Sequence, residues 1–186
     1  MNSIDSKLSK FIVYACPTGE LNTQIETFFQ RSYEAYGKNT AHDYMPHCSL
    51  TGFFPDNPNS IPFYLEALER AYQKAKHLSL NIQTVRSGFN DDWHGIELQA
   101  EGVKQLVKHF AQTEASPTRK EDIRLKDWLH LSLAYGFESE FQERLETLAR
   151  ETIDITAEVA WELRFYQKLD RTWNCLQSWN LEKGSK

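Results

Sequence analysis

The sequence predicts an α+β fold built from two similar halves, which cover residues of about 11–92 and 93–182 of a single domain spanning 1–186. Two octets carry this prediction, His47–Phe54 and His130–Phe137. Each has His, Ser, Leu and Phe at its first, third, fourth and eighth places. Helical and extended patterns follow both octets in the same order. The alternative is an ordinary alternation of helices and strands without duplication.

A pair of tryptophans supports the duplication outside the octets. Trp93 lies 46 residues after His47, and Trp173 lies 43 residues after His130, each behind a predicted turn. We therefore expect the two tryptophans to occupy corresponding places. We also expect the two octet faces to meet across a cleft, since pockets commonly form between lobes.

The individual elements follow from hydrophobic spacing and from turn residues. Helices are predicted where apolar residues recur three or four positions apart, and strands where short apolar runs lie between Gly, Pro, Asn or Asp residues. In the first half this gives strands over Phe11–Cys16, His47–Phe54, Leu78–Phe89 and Trp93–Ala100, with helices over Leu21–Tyr33, ending near Gly37, and Pro62–Lys76. In the second half it gives helices over Val103–Phe110 and Phe141–Leu148, a polar loop over Ser116–Asp127, strands over Trp128–Phe137, Ala157–Leu169 and Trp173–Leu181, and a turn at Asp170-Arg171-Thr172.

Each octet combines a proton carrier with a hydroxyl donor. Side chains alternate between the faces of a strand, so His47 and Ser49 point the same way, as do His130 and Ser132. Cys48 then points into the packed side and is not expected to be a nucleophile. The alternative is that both histidines are core residues whose ring nitrogens are hydrogen-bonded within the protein.

Four other histidines are expected to be structural or exposed. His77 opens a third H-x-S sequence, but it follows the last turn of a predicted helix, where a cationic side chain is favoured by the helix dipole. Its octet also lacks the glycine and the closing Phe. His42, His94 and His109 share no common motif.

Composition restricts the class of protein. The chain has 186 residues with 40% hydrophobic residues, which suits one domain or two closely packed halves. The formal charge of −5 argues against a broad surface for nucleic acid, although a single phosphate needs only a local positive pocket. Three cysteines without C-x-x-C spacing predict neither a disulfide framework nor a zinc site. The polar start over Met1–Lys10 and the lack of a long apolar run predict a cytoplasmic protein without membrane contact. We also expect a monomer.

The paired octets resemble the 2H phosphoesterase superfamily. The run Trp128–Tyr135 and the Phe after it are similar to the phosphoesterase domain of TULA-type (ubiquitin-associated and SH3 domain-containing) proteins, as are Pro46-His47 and Phe53-Phe54. The resemblance in element order extends from about Phe11 to Leu181. It implies a duplicated two-lobe fold with antiparallel sheets lining a central cleft and helices outside. The ubiquitin-binding, SH3 and phosphatase-like regions of such proteins are not expected in this chain.

The resemblance also implies an activity and a set of residues. The family suggests a phosphodiesterase that needs no metal or cofactor and acts on 2′,3′-cyclic phosphates of nucleotides or short RNA ends. Its two histidines correspond to His47 and His130, and its two hydroxyl residues to Ser49 and Ser132. This chain has Ser where Thr is common, which keeps the donor but not the stiff χ1 angle of Thr.

The chemistry of these residue types agrees with that activity. Imidazole has an unperturbed pKa of about 6.5, so one histidine can act as neutral base and the other as charged acid, in an order that the sequence leaves open. The serines would donate hydrogen bonds to the phosphoryl oxygens. A nuclease that trims RNA 3′ ends, with the same four residues, and a catalytically idle module that binds a nucleotide or a protein remain alternatives.

Six further residues are candidates for substrate binding. Four are aromatic residues that could stack a base or, alternatively, pack in the core: Phe54, Trp93, Tyr135 and Trp173. Arg124 and Lys126 lie in the loop before the second octet and could close over a phosphate. The alternative for that loop is a solvated charged segment.

Overall fold

An antiparallel sheet and four α-helices make up the part of the protein that the computed structural model describes, residues 8–170 and 172–181. The strands are β1 (Ser9–Thr18), β2 (Cys48–Ser49), β3 (Phe54–Asp56), β4 (Gln83–Phe89), β5 (Trp93–Gln99), β6 (Leu129–Tyr135), β7 (Ala160–Leu169) and β8 (Thr172–Asn180). The helices are α1 (Glu20–Tyr36), α2 (Ile61–Ala75), α3 (Glu101–Thr113) and α4 (Gln142–Thr152). Most of the predicted polar start (1–7), Arg171 of the predicted turn, and residue 182 at the predicted end of the second half lie outside the described residues.

The eight strands form one open sheet, and the predicted α+β class is confirmed. The strand order is β4-β5-β6-β2-β1-β7-β8, with β3 also paired to β1, and the paired strands are antiparallel. The predicted boundary at residues 92 and 93 falls in the turn between β4 and β5, which pair with each other. The duplicated two-lobe arrangement stays a prediction.

The helices cover one face of this sheet. Phe11, Val13 and Ala15 of β1 belong to the main core, together with the buried residues of all four helices. The alternate residues Ile12 and Tyr14 lie on the other face, in a small separate cluster. This alternation leaves the second face of the sheet, away from the helices, to carry polar side chains.

The first octet is extended over a shorter stretch than predicted. The strand prediction for His47–Phe54 is wrong between Leu50 and Phe53, since only Cys48–Ser49 and the separate β3 are strands there. The carbonyl of Val13 accepts hydrogen bonds from two successive amides, those of Leu50 (3.0 Å) and Thr51 (3.4 Å). Two residues facing one partner residue bend the chain out of regular pairing.

The other elements differ from prediction mainly at their ends. The α1 helix ends at Gly37, which has a φ of +79° that favours glycine, as the sequence predicted. The predicted strand over Leu78–Phe89 begins only at Gln83, because the Leu78 amide still bonds to the Ala75 carbonyl of α2. Within the described ranges, no helix has the length and apolar character to cross a membrane.

Candidate active site

Four side chains from the two octets share one face of the sheet. In the β2–β6 pair, Cys48 lies opposite Leu131, and both are buried on the helix side. Residues on either side of this pair project to the opposite face. The antiparallel register therefore sets His47 across from Ser132 and Ser49 across from His130, at the separation of direct cross-strand neighbours.

These four residues line one cleft of about 520 Å³. The four catalytic residues predicted from the sequence thus lie together. The cleft is also bordered by side chains from the β4–β5 turn and from both ends of β6. Its full lining consists of His47, Ser49, Asn90, Asp92, Trp93, Trp128, His130, Ser132 and Tyr135.

The His47 ring has a fixed orientation and is held in its neutral form. Its Nδ1 lies 2.8 Å from the Met45 carbonyl, which can only accept, so Nδ1 donates and the lone pair of the neutral ring is on Nε2. Tyr14 and Tyr44 pack against the ring, with centroid distances of 4.1 and 5.4 Å. Burial, together with the charge of the nearby His130, lowers the pKa of His47 to about 4.

The His130 ring lies between two indoles. Trp128 packs against it at 3.9 Å with an interplanar angle of 31°, and Trp93 meets it edge-on at 5.3 Å. Burial lowers the pKa of His130, while the nearby backbone of Trp128 and the carboxylate of Glu97 favour the charged ring. Its Nδ1 is buried without a hydrogen-bond partner of good geometry.

Trp93 holds the hydroxyl group of Ser132. The indole Nε1 donates a hydrogen bond of 3.0 Å to Ser132 Oγ. The indole can lie flat on the sheet because Gly88 and Gly95 flank it: a Cβ at these positions would approach Trp93 ring atoms to 2.9 and 2.2 Å. The Ser132 oxygen is thus an acceptor within the protein, and its own proton stays available for another acceptor in the cleft.

The other predicted binding residues are more scattered. Tyr135 and Trp93 line the cleft, and burial raises the pKa of Tyr135 to about 12. Phe54 is a correction: it is 2% exposed and packs in the core against Phe11, so it cannot stack a base. Trp173 packs against Tyr44, and Tyr44 in turn packs against His47.

The two predicted cations lie beside the cleft. Lys126 lines a neighbouring cavity of about 440 Å³, yet it is near enough to His130 to contribute to the lowering of its pKa. Arg124 is exposed and lays its guanidinium over Gly52. The loop segment that carries both residues is paired to the first octet, through a bridge between Thr51 and Leu125.

Sequence reasoning missed several residues of the site. Trp128 stands two positions before His130, and strand alternation could have placed it on the same face. Tyr14 could have been found by the same alternation in β1, where it pairs directly with Ser49. Asn90 and Asp92 were assigned only to a turn, and Tyr44 precedes the octet in an irregular segment with no periodic signal.

The sequence predicted that Cys48 points into the packed side of its strand and is not a nucleophile. Cys48 is 1% exposed, points away from the four residues, and has its pKa raised to about 12 by burial. A thiol in that environment is not a nucleophile. No group of three or more His, Cys, Asp or Glu side chains in the described ranges is arranged to hold a metal ion.

The chain aligns with several characterised proteins, and the predicted resemblance to TULA-type proteins is confirmed. Ubiquitin-associated and SH3 domain-containing protein B of Homo sapiens is 29% identical over 167 residues, which cover 86% of this chain and 25% of that protein. Ubiquitin-associated and SH3 domain-containing protein A of Mus musculus is 28% identical, with 89% and 27% covered. Ecdysteroid-phosphate phosphatase of Bombyx mori is 27% identical, with 86% and 24% covered.

The chain spans about a quarter of the length of these relatives. No protein-family model matches the chain.

Proposed function

We propose that this protein is a phosphodiesterase that hydrolyses 2′,3′-cyclic phosphates of nucleotides or RNA ends with a pair of histidines. The observation that carries the proposal is the cross-strand arrangement in one cleft, with His47 beside Ser132 and Ser49 beside His130. A proton acceptor, a proton donor and two hydroxyl donors can then surround a single phosphorus atom, as such a reaction requires.

His47 is the general base in this proposal. Its neutral form is strongly favoured by burial, and its Nδ1–H is fixed by Met45, which leaves the Nε2 lone pair for a water molecule. His130 is the general acid in this proposal: burial and the charge of Lys126 lower its pKa, while the backbone of Trp128 and the carboxylate of Glu97 favour its charged form. A bound phosphodiester anion would raise the pKa of both rings and so favour a charged His130 in the complex.

The proton balance of the reaction is simple. Water attacks phosphorus as His47 removes one of its protons, and a new P–O bond forms. The bond between phosphorus and one ribose oxygen breaks, and His130 gives that oxygen a proton. Ser49 and Ser132 donate hydrogen bonds to the two non-bridging oxygens, where negative charge increases in the transition state.

The relatives support phosphoester hydrolysis as the class of reaction. One is named a phosphatase for ecdysteroid phosphate, although the aligned part is a quarter of its length. The use of a cyclic phosphate and of paired histidines rests on the cleft itself. A protein that only binds a nucleotide would need neither the Nε2 lone pair of His47 nor a second imidazole on the same face.

Alanine substitutions test the two roles. His47→Ala and His130→Ala should each reduce kcat for a 2′,3′-cyclic mononucleotide by at least a hundredfold, the usual contribution of general acid or base catalysis. His77→Ala is the matched control, since His77 opens the third H-x-S sequence but lies exposed at the end of α2. The assay is run in EDTA, where we expect full activity. Retention of most activity by either cleft variant would refute the paired-histidine mechanism.

A second substrate separates acid from base. A nucleoside p-nitrophenyl phosphodiester has a leaving group that needs no proton, so His130→Ala should recover most of its activity on it. His47→Ala should stay slow on both substrates, because the attacking water still needs a base. Recovery by His47→Ala instead would reverse the two assignments.

A further inference from the structure

A run of aromatic rings leads from the cleft to an exposed surface on the same face of the sheet. Tyr44 contacts His47 on one side and Trp173 on the other, at centroid distances of 5.4 and 5.3 Å. Phe53 stacks on Trp173 at 5.6 Å with an angle of 24°, and 41% of Phe53 is exposed. An exposed Phe next to a half-buried Trp offers a flat apolar surface close to the reacting centre.

Two lysines adjoin this surface. The Lys168 ammonium lies 5.6 Å from the Phe53 ring centroid and 5.1 Å from that of Trp173. Lys10 lies directly opposite Lys168 in the β1–β7 register, so both side chains project to the cleft side. Like charges directly opposite each other destabilise a strand pair, and a bound anion would relieve that repulsion.

Two acidic residues adjoin this surface. Asp170 lines the same depression as the two lysines. Asp43, whose carbonyl accepts a bond from the Trp173 indole, has its carboxylate paired with Lys38. In a chain of net charge −5, two cations beside stacked aromatic rings form a local site for a phosphate next to a base.

We propose that Phe53, Trp173, Lys10 and Lys168, here named the Phe53 platform, bind a nucleotide of a single-stranded nucleic acid beyond the one held in the cleft. A base stacks on the exposed Phe53 ring, and the lysines contact the adjoining phosphate. This inference rests on the proposed function for the position of the reacting phosphate. It makes the substrate class an oligonucleotide end, since a free cyclic mononucleotide would not reach the platform.

Binding of a four-nucleotide single strand tests the stacking contact. Phe53→Ala should weaken binding about tenfold, within the range for loss of one base–aromatic stack, while a mononucleotide should bind this variant as tightly as the unmodified protein. The control is Phe63→Ala on α2: Phe63 has the same residue type and is 43% exposed, but it lies on the helix side. Equal effects of the two variants would overturn the proposal.

The salt dependence of binding tests the lysine contact. Lys168→Gln should reduce the slope of log Kd against log salt by about 0.7, the value for one phosphate contact to a single strand. The control is Lys76→Gln, which also removes an ammonium beside an aromatic ring, 5.3 Å from Tyr72, on the other side of the molecule. An unchanged slope for Lys168→Gln would overturn the phosphate contact.

Three further outcomes distinguish the Phe53 platform from the catalytic proposal. If Phe53→Ala weakens binding of tripolyphosphate as much as that of the strand, the site binds anions only and no base stacks there. If the strand binds no more tightly than a mononucleotide, the platform is refuted even when cyclic phosphates are hydrolysed. Binding that depends on Phe53, without any hydrolysis, would support the platform and refute the proposed reaction.

Discussion

At the scale of single residues, the orientation of the Ser132 hydroxyl depends on a neighbouring side chain, Trp93. A serine hydroxyl rotates more freely than that of threonine, because no second heavy atom on Cβ restricts χ1. The Trp93 indole limits that freedom by donating a hydrogen bond to Ser132 Oγ. The position of the indole is fixed in turn by Gly88 and Gly95, which leave room for its ring because they have no Cβ. The sequence suggested Trp93 as a surface for a base; its position makes it a residue that orients a donor.

The substitution Trp93→Phe should lower kcat/KM about fivefold for the substrate of the cleft. An aromatic ring is kept, but the hydrogen bond to Ser132 is lost, and one hydrogen bond to a neutral partner contributes about 1 kcal/mol. Steady-state kinetics on the purified variant, with the fold checked by circular dichroism, measures the effect. Adding Ser132→Thr should restore part of the activity, because the stiffer side chain no longer needs the indole.

The matched control for this prediction is Trp179→Phe. The Trp179 indole also donates a hydrogen bond, to Glu69 of α2, but on the helix side of the sheet. We expect its kcat/KM to equal that of the unmodified protein. If Trp93→Phe behaved like this control, the Ser132 hydroxyl would not depend on Trp93 for its orientation.

At the scale of elements, the two octets show what a sequence can and cannot predict. Alternation along a strand is local, so the pairing of His130 with Ser132 on one face followed from the sequence alone. The extent of β2 depends on distant residues, because Val13 and the segment around Leu125 both form hydrogen bonds with the backbone of Leu50–Gly52. Alternation alone does not show which strands are neighbours, and it is the strand order, with β1 and β6 on either side of β2, that brings Tyr14 and Trp128 next to the two histidines.

The loop before β6 is attached to the helical layer by one buried carboxylate. Asp56 at the end of β3 is 1% exposed and accepts hydrogen bonds from Tyr64 of α2 and from Ser116 and Thr118 of the loop. Burial opposes the charge, but these donors outweigh it and lower the pKa of Asp56. The loop then continues to the segment that pairs with the first octet.

Replacing this carboxylate should loosen the loop and destabilise the protein. Asp56→Asn converts one acceptor oxygen into a donor, so either the two hydroxyls at Oδ2 or the partners at Oδ1 lose their acceptor. We expect the free energy of unfolding to fall by about 2 kcal/mol, as measured by urea denaturation. Asp122→Asn, exposed in the same loop, should change it by less than about 0.5 kcal/mol. Similar values for both would show that the Asp56 network contributes little.

At the scale of the whole molecule, the site exists only where distant parts of the chain meet. His47 and His130 are adjacent because β2 and β6 pair in the middle of the sheet, with β1 and β5 outside them. Joining two polar-faced strands at the centre of the fold partly buries both imidazoles. Protonation of each imidazole therefore affects both its role in the cleft and the free energy of unfolding.

This linkage predicts that the protein becomes less stable in mild acid. The folded pKa of His47 is about 4, against about 6.5 in the unfolded chain, so between these values the unfolded chain binds a proton that the folded one does not. Stability should therefore rise with pH through this window, and His47 alone should contribute about 2 kcal/mol between pH 5 and 7, above the range in which most carboxylates titrate. Urea denaturation across this range should show a rise that is smaller by that amount in His47→Asn. The exposed-histidine variant His77→Asn should keep the full rise. An undiminished rise in His47→Asn would mean that the His47 ring is as well solvated in the folded protein as in the unfolded chain.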